Sequence, residues 1–371
     1  MADDSHQPHA NAAASRLSVF DLTPDTLAAW LARHGEPVYR ARQTLHWVYG
    51  RDATGFGQMT SLPRGLRAML AEGLEVYRSR IVARRESRDG TIKLLLRWPD
   101  GATSECVMIP DGDRRTACLS TQVGCPVRCS FCASGIGGLQ RQLSAGEIVD
   151  QAMRVRELCA GGARLSNVVF MGLGEPLANY DATVQAIRTI NADWAMGIGA
   201  RRITVSTVGL VDRMRRLADE GLQITLALSL HAPTDELRKT LIPWAEFVTI
   251  ESLIEAANYF FDRTGREVTL EYILLRDVND SESLARRLAT VAGRMRSHVN
   301  LIVYNPVEDL PYRRPSSQTA RRFLEVLRSA GVNAHARPSR GLDIEAACGQ
   351  LRRRNETAAG RRPEDAQDIG R

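Results

Sequence analysis

The 371-residue chain has no run of eighteen or more apolar residues, so it carries no sequence signal for a membrane-spanning helix. Its opening stretch, MADDSHQPHANAAASR, places acids early and has no apolar core segment, so it does not read as a secretory signal. Residues 1–16 are expected to form a disordered leader. Cysteine is scarce and odd in number: there are seven, and three of them fall within residues 125–132. In a long chain without a secretory signal, that distribution argues against a disulfide framework and for metal or catalytic use. These absences point to a cytoplasmic protein with no membrane association.

The remaining bulk properties are those of a globular protein, with 44% hydrophobic and 25% charged residues. The length suits one large domain with additions, or two domains. A formal net charge of +6 and a pI near 9.1 lean towards a polyanionic partner such as nucleic acid.

Three helices are expected first, over 17–79. Thr23 caps a helix with Pro24 at its first position, and Leu27, Trp30 and Leu31 form its apolar stripe before Gly35. A second helix spans 39–49 and a third 63–74. This unit carries Arg40, Arg42, Arg51, Arg64 and Arg67, which serve equally as a solvated basic face or as an RNA-docking surface. Residues 80–115 form a β extension with strands at 80–85, 92–98 and 104–109, the last two joined by a turn at Pro99, Asp100 and Gly101. Glu105 alternates in phase with Val107 and Ile109.

From 116 to 350 strands alternate with helices. Strands are expected at 117–121, 167–171, 202–207, 223–230, 267–274, 299–304 and 332–337. Helices separate them, as at 145–159, 182–190, 250–261, 282–295 and 317–330. This alternation predicts an α/β domain with a parallel sheet, as a closed or open barrel, whose chemistry gathers at the C-terminal strand ends. Residues 351–371, arginine-rich and poor in apolar side chains, are expected to form a mobile tail.

Cys125, Cys129 and Cys132 form a C-x3-C-x2-C motif just after the first strand of this domain. Three thiolates on one loop ligate three irons of a cubane cluster and leave the fourth open to a substrate chelate. Structural zinc normally takes four ligands, and no further cysteine or histidine stands at suitable spacing. Met171-Gly-Leu-Gly-Glu-Pro176 follows the second strand, where glycines allow close backbone approach and Glu175 accepts from an ammonium. Ser206, then Ser229-Leu230-His231, and Asn305 end later strands. Each alone reads more simply as a cap or core residue, and their shared position at strand ends favours ligand binding. Among the other cysteines, Cys106 and Cys159 read as buried small hydrophobes, whereas Cys348, followed by glycine, reads as accessible.

The cluster motif after the first strand resembles the radical S-adenosylmethionine superfamily, which implies a partial (βα)6-type barrel and a [4Fe–4S] cluster. The whole of residues 17–351 resembles the RlmN/Cfr family of radical RNA adenine methyltransferases. The resemblance rests on Asp21-Leu-Thr, Ser104-Glu105, Gly124–Cys132, Gly146-Glu147-Ile148, Met171–Pro176, Ser229–His231, Tyr304-Asn-Pro306, Arg313-Arg-Pro315 and Asp343–Leu351, of which Ala-Cys-Gly-Gln-Leu is the most specific. It implies S-adenosylmethionine bound by Gly174, Glu175, Ser206, Ser229, Leu230, His231 and Asn305, with two molecules used per turnover.

The resemblance further implies that Cys348 takes a methyl group from one S-adenosylmethionine. A deoxyadenosyl radical from the second abstracts hydrogen from that methyl, and the resulting methylene radical adds to carbon 2 of adenine. Glu105 then removes the ring proton, and Cys118 releases the product by forming a transient disulfide with Cys348. The implied partners are 23S ribosomal RNA at adenine 2503, in some members tRNA at adenine 37, and an electron donor such as flavodoxin or ferredoxin, with the enzyme a monomer. Carbon-8 methylation conferring antibiotic resistance is the alternative within the family. Radical chemistry with Cys118 and Cys348 merely structural, and a zinc-stabilised RNA-binding protein, are the alternatives outside it. The chain departs from the family in the Cys132-Ala-Ser-Gly-Ile-Gly-Gly-Leu-Gln-Arg segment and in Arg128 within the cluster loop.

Overall fold

The computed structural model describes residues 16–159 and 163–352. The expected leader and tail therefore lie, but for Arg16, Leu351 and Arg352, outside the described residues. The chain divides into two compact units, Met1–Arg78 and Ser79–Arg371. Among the described residues no helix is long and apolar enough to cross a membrane.

In the first unit the helix Pro24–Arg33 begins on a capping box between Thr23 and Thr26. Leu27, Trp30 and Leu31 are its buried face, as their spacing predicts. Each fully buried leucine contributes roughly 1.5–3 kcal/mol. The second helix is α-helical only over Arg40–Leu45, then widens to a π-turn at His46–Gly50. The third covers Arg64–Gly73. Leu17–Ser18 pairs parallel with Leu74–Glu75, tying the two ends of the unit together.

The second unit is built on one ten-stranded sheet. Seven strands run parallel in chain order: Arg114–Cys118, Asn167–Phe170, Ile203–Thr207, Thr225–Ser229, Val268–Leu274, Ser297–Val303 and Ala334–Arg337. This is the α/β arrangement expected of a partial barrel. The first strand starts three residues before its expected position because Arg114 and Arg115 pair with Asp111 and Pro110 across a tight turn. Through that pairing the three-stranded meander Arg80–Glu86, Ile92–Arg97 and Thr103–Asp111 continues the same sheet antiparallel. The β extension is thus the sheet's own margin.

Helices Ala145–Glu157, Tyr180–Asn191, Val211–Asp219, Ile250–Thr264, Glu282–Ala292 and Ser317–Ser329 connect the parallel strands. The strand Val268–Leu274 is buried at every residue, including Glu271, as a strand covered on both faces must be. Asp150, buried on the first of these helices, accepts from the Ser79 backbone N–H (3.0 Å) and hydroxyl (2.5 Å) and so fixes the start of the unit.

Candidate active site

The cluster motif is held by a two-stranded clasp, Gln122–Gly124 against Leu139–Gln142. Gly124 has φ +81°, and a Cβ there would run into the carbonyl of Gly138, so the clasp closes only with glycine. Ser130 N–H donates to the Leu241 carbonyl (3.0 Å), and its hydroxyl lies 2.7 Å from that of Tyr312. Arg128 is exposed at φ +57°, and Gly135 packs against its backbone.

Cys125, Cys129 and Cys132 line one cavity. Burial pushes the Cys125 thiol up to about 12 and raises Cys129 and Cys132 as well, and Cys132 adds to the rise at Cys125 and Cys129. Arg238 pulls Cys129 the other way, and its Nη1 is buried with no hydrogen-bond partner among the described residues. These thiols need added positive charge to ionise, which bound iron supplies. Among the described residues no three His, Cys, Asp or Glu side chains converge as ligands of a single ion. A cubane asks for no such convergence, since its irons occupy separate corners and take one thiolate each. The donor set fits a cluster.

Gly174, Glu175, Ser206, Ser229 and His231 line the same cavity. Glu175 accepts from the backbone N–H groups of Leu177 (3.0 Å) and Val208 (2.9 Å), yet burial lifts its pKa to about 7. A cationic ligand would favour its charged form. Ser206 and Ser229 place their hydroxyls 3.4 Å apart. His231 adopts φ +59°, and its Nδ1 accepts from the Ile273 N–H (3.1 Å). Burial, then Arg238, lowers its pKa to about 3, so the ring is neutral and Nε2 carries the proton as a donor. Leu230 is buried and does not line the cavity; its N–H donates to the Glu271 carbonyl.

Sequence reasoning missed Glu271 and Arg337, which both line this cavity. Glu271 accepts from Asn300 (3.2 Å) at one carboxylate oxygen, while the other is buried without a hydrogen-bond partner among the described residues. The available signal was a lone acid inside the apolar run VTLEYIL. An unengaged buried acceptor facing a cavity suits a ligand's hydroxyl or ammonium.

Cys348 lies on a loop stitched directly to the cluster loop. Ala133 N–H donates to the Gly349 carbonyl (2.8 Å), and Ser134 Oγ to that of Leu351 (2.8 Å). Asn305 lies outside the first cavity; it lines a neighbouring one and donates to the Cys348 carbonyl (3.1 Å). Cys348 is exposed and lines both cavities, as does Arg337. The second cavity, about 720 Å³, is also lined by Arg114, Asn167, Asn300, His335 and Arg340. Cys118 is buried beside this loop, in an apolar cluster with Val107, Leu173, Ile344, Ala346 and Leu351. Burial and then the nearby Cys348 push its thiol up to about 12, with Arg337 acting against the shift. The surrounding protein raises Cys348 too, again with Arg337 pulling down. Cys106 is fully buried, but Cys159 is only half-buried, because it follows the end of its helix.

Glu105 is buried and does not line either cavity. One oxygen meets Lys93 Nζ at 3.1 Å, and the other accepts the Arg352 N–H at 3.0 Å. In the separate N-terminal unit, Arg40 lies over Tyr39 (4.9 Å) and Arg51 over Trp47 (4.6 Å), while Arg42 and Arg64 are exposed. Stacked guanidinium–aromatic pairs offer both charge and a π-face to single-stranded RNA.

Residues 119–288 match the family model described as the radical SAM superfamily, and 17–76 match that of the ribosomal RNA large subunit methyltransferase N-terminal domain. A probable dual-specificity RNA methyltransferase RlmN of Thermosynechococcus vestitus is 48% identical over 326 residues, covering 88% of this chain and 95% of that protein. A namesake of Rhodopirellula baltica is 44% identical over 329 residues, 89% of each chain. A solved radical SAM methyltransferase from Sphaerobacter thermophilus superposes with a TM-score of 0.89 at 46% identity, covering 90% of this chain and 99% of that one.

Proposed function

We propose a reaction for this chain from the premise that it belongs to the RlmN family of radical S-adenosylmethionine RNA methyltransferases. It methylates carbon 2 of adenine in RNA, with adenine 2503 of 23S ribosomal RNA as substrate and adenine 37 of tRNA as a second target. The carrying observation is the place of Cys348, which faces the cluster cavity on one side and the 720 Å³ cavity on the other. A residue that collects a methyl group at one site and delivers it at another needs that position.

Cys125, Cys129 and Cys132 hold the [4Fe–4S] cluster. Gly174, Glu175, Ser206, Ser229, Leu230, His231 and Asn305 form the S-adenosylmethionine site, with Glu175 taking the ammonium and Leu230 and Asn305 contributing through backbone position and loop support. Together the cluster and S-adenosylmethionine supply a carbon radical when bound. Cys348 first acts as a nucleophile, forming its S–CH3 bond as S-adenosylhomocysteine leaves. Its methyl carbon, after losing a hydrogen atom, bonds to carbon 2 of an adenine seated in the larger cavity. Arg114 and Arg340 serve the RNA phosphates there, and Asn167 and Asn300 the base edge. Glu105, buried outside both cavities as the structure stands, is the base for the ring proton, and the adduct's unpaired electron would leave to the bound cluster. Cys118 then bonds to the Cys348 sulfur as that sulfur's bond to the product carbon breaks, the carbon leaving with the bond pair and taking a proton to become the methyl group, and an external thiol reductant reopens the disulfide.

The basic helical unit at 17–79 docks RNA chiefly through phosphate contacts. The protein acts as a cytoplasmic monomer, and a flavodoxin- or ferredoxin-type donor serves the cluster. Two S-adenosylmethionine molecules are consumed per methyl transferred. The test is anaerobic reconstitution with iron and sulfide, reaction with 23S fragments and tRNA, and mass-spectrometric identification of the methylated base. The expected result is 2-methyladenine with one S-adenosylhomocysteine per methyl; 8-methyladenine, or no RNA product, would overturn it.

A further inference from the structure

The strand register sets out a row of residues that includes one charged side chain, Lys93, to which the proposed reaction gives no part. Lys93 pairs with Val107, and Val107 pairs with Cys118, so these three occupy one face of the sheet. Glu105, two residues from Val107, shares that face. The Cys348 loop packs there, since Ile344, Ala346 and Leu351 join Val107 and Cys118 in one apolar cluster. Lys93 is nonetheless a buried ammonium, only 4% exposed, in this apolar setting. A buried charge persists where it is paired and hydrogen-bonded. Lys93 Nζ meets Glu105 Oε1 at 3.1 Å and the Glu345 carbonyl at 2.8 Å. Glu345 sits at φ +52°, where the loop turns towards Cys348. The second Glu105 oxygen takes the Arg352 N–H on the far side of the cysteine. Lys93 and Glu105 therefore brace the cysteine loop on both flanks from adjacent strands.

We propose that Lys93 is a positioning residue of methyl transfer, its ammonium holding the Glu105 carboxylate and the Cys348 loop in fixed relation. The inference rests on the reading of Glu105 as the base and Cys348 as the methyl carrier. A carboxylate that must meet a ring proton only while carbon is bound to Cys348 gains from being tied to the loop that carries that cysteine. Lys93 contacts neither substrate nor cofactor in this role.

The experiment uses the full chain in two states. In cluster-free protein, hydrogen exchange of peptides spanning 341–352 is compared among wild type, Lys93→Gln and Lys93→Arg. The glutamine variant is expected to exchange at least about tenfold faster there, with peptides spanning 122–142 unchanged and the arginine variant near wild type. In reconstituted enzyme with Cys118 intact, Lys93→Gln is expected to accumulate covalent RNA–protein adduct and to show a primary isotope effect with adenine deuterated at carbon 2, absent in wild type. Unchanged exchange, or a folded Lys93→Gln variant with neither adduct nor isotope effect, overturns the proposal. Should Lys93→Gln fail to fold, the neutral pair Lys93→Met with Glu105→Gln supplies the exchange readout, and unaltered protection of 341–352 in it is equally fatal. Failure of the underlying reading is recognised separately, as absence of RNA adduct in the Cys118→Ala single variant.

Discussion

The two cysteine loops that meet at the candidate active site are built in opposite ways. The cluster loop carries three thiols and is closed by its own flanks, through the pairing of Gln122–Gly124 with Leu139–Gln142. The loop around Cys348 carries one thiol and, besides short turns of its own, is tied to distant residues. Ser87 Oγ donates to Asp343 (2.5 Å), Gly341 N–H to Asp89 (2.9 Å) and Lys93 to Glu345, while Ser134 Oγ reaches Leu351. The first loop is closed by a local clasp, with further bonds from Ser130 to Leu241 and Tyr312. The second exists only in the finished fold, because its partners lie across the sheet margin and the cluster loop.

The contrast is broken most severely at the cluster. Cys129→Ala is expected to remove iron binding on anaerobic reconstitution and reduce methylation to background, read by iron and sulfide analysis beside product assay. Cys348→Ala is expected to be as inactive in methylation but to keep its full iron content, so a variant that also loses iron would show the loops to be less independent than described. Cys118→Ala is expected to retain the cluster and trap RNA covalently, visible as a shifted band sensitive to ribonuclease.

A milder test is pH. Burial lifts the folded pKa of Glu175 from the ordinary carboxylate range to about 7. A raised carboxyl pKa disfavours the charged form, so its contribution to stability declines as pH climbs from the unfolded value towards 7 and is level above it. If the ionised form takes the ligand's ammonium, S-adenosylmethionine affinity should rise about tenfold between pH 6 and pH 8, and Glu175→Gln should flatten that rise. The smallest effect is expected at Asp343→Asn, which weakens the Ser87 and Arg88 contacts to the C-terminal loop. It should slightly lower the denaturant midpoint and speed hydrogen exchange at 341–346 without touching iron content.

Much of the fold was legible from periodicity. The helix from Pro24, the seven parallel strands and the run of connecting helices follow patterns of 3.6 and 2, or continuous apolar runs between turns. The merging of the β extension with the barrel sheet was not legible, because a hairpin signal gives strands without saying which neighbour the outer one takes. At the site, Gly174, Glu175, Ser206, Ser229 and His231 share a cavity as their strand-end positions implied. Glu271, Arg337 and Lys93 escaped notice since each is a charged residue within a strand, and only packing shows what it faces.

The sequence by itself determined the three-cysteine loop, the alternation that sets it at a strand end, and the basic helical unit, since each depends on spacing along the covalent chain. Tertiary structure alone decided that Cys118 and Cys348 lie within electrostatic reach of one another and of Arg337. It also decided that Lys93 and Glu105 brace the loop between them. Those relations are set by sheet register and by hydrogen bonds between residues far apart in the chain, which no local pattern encodes.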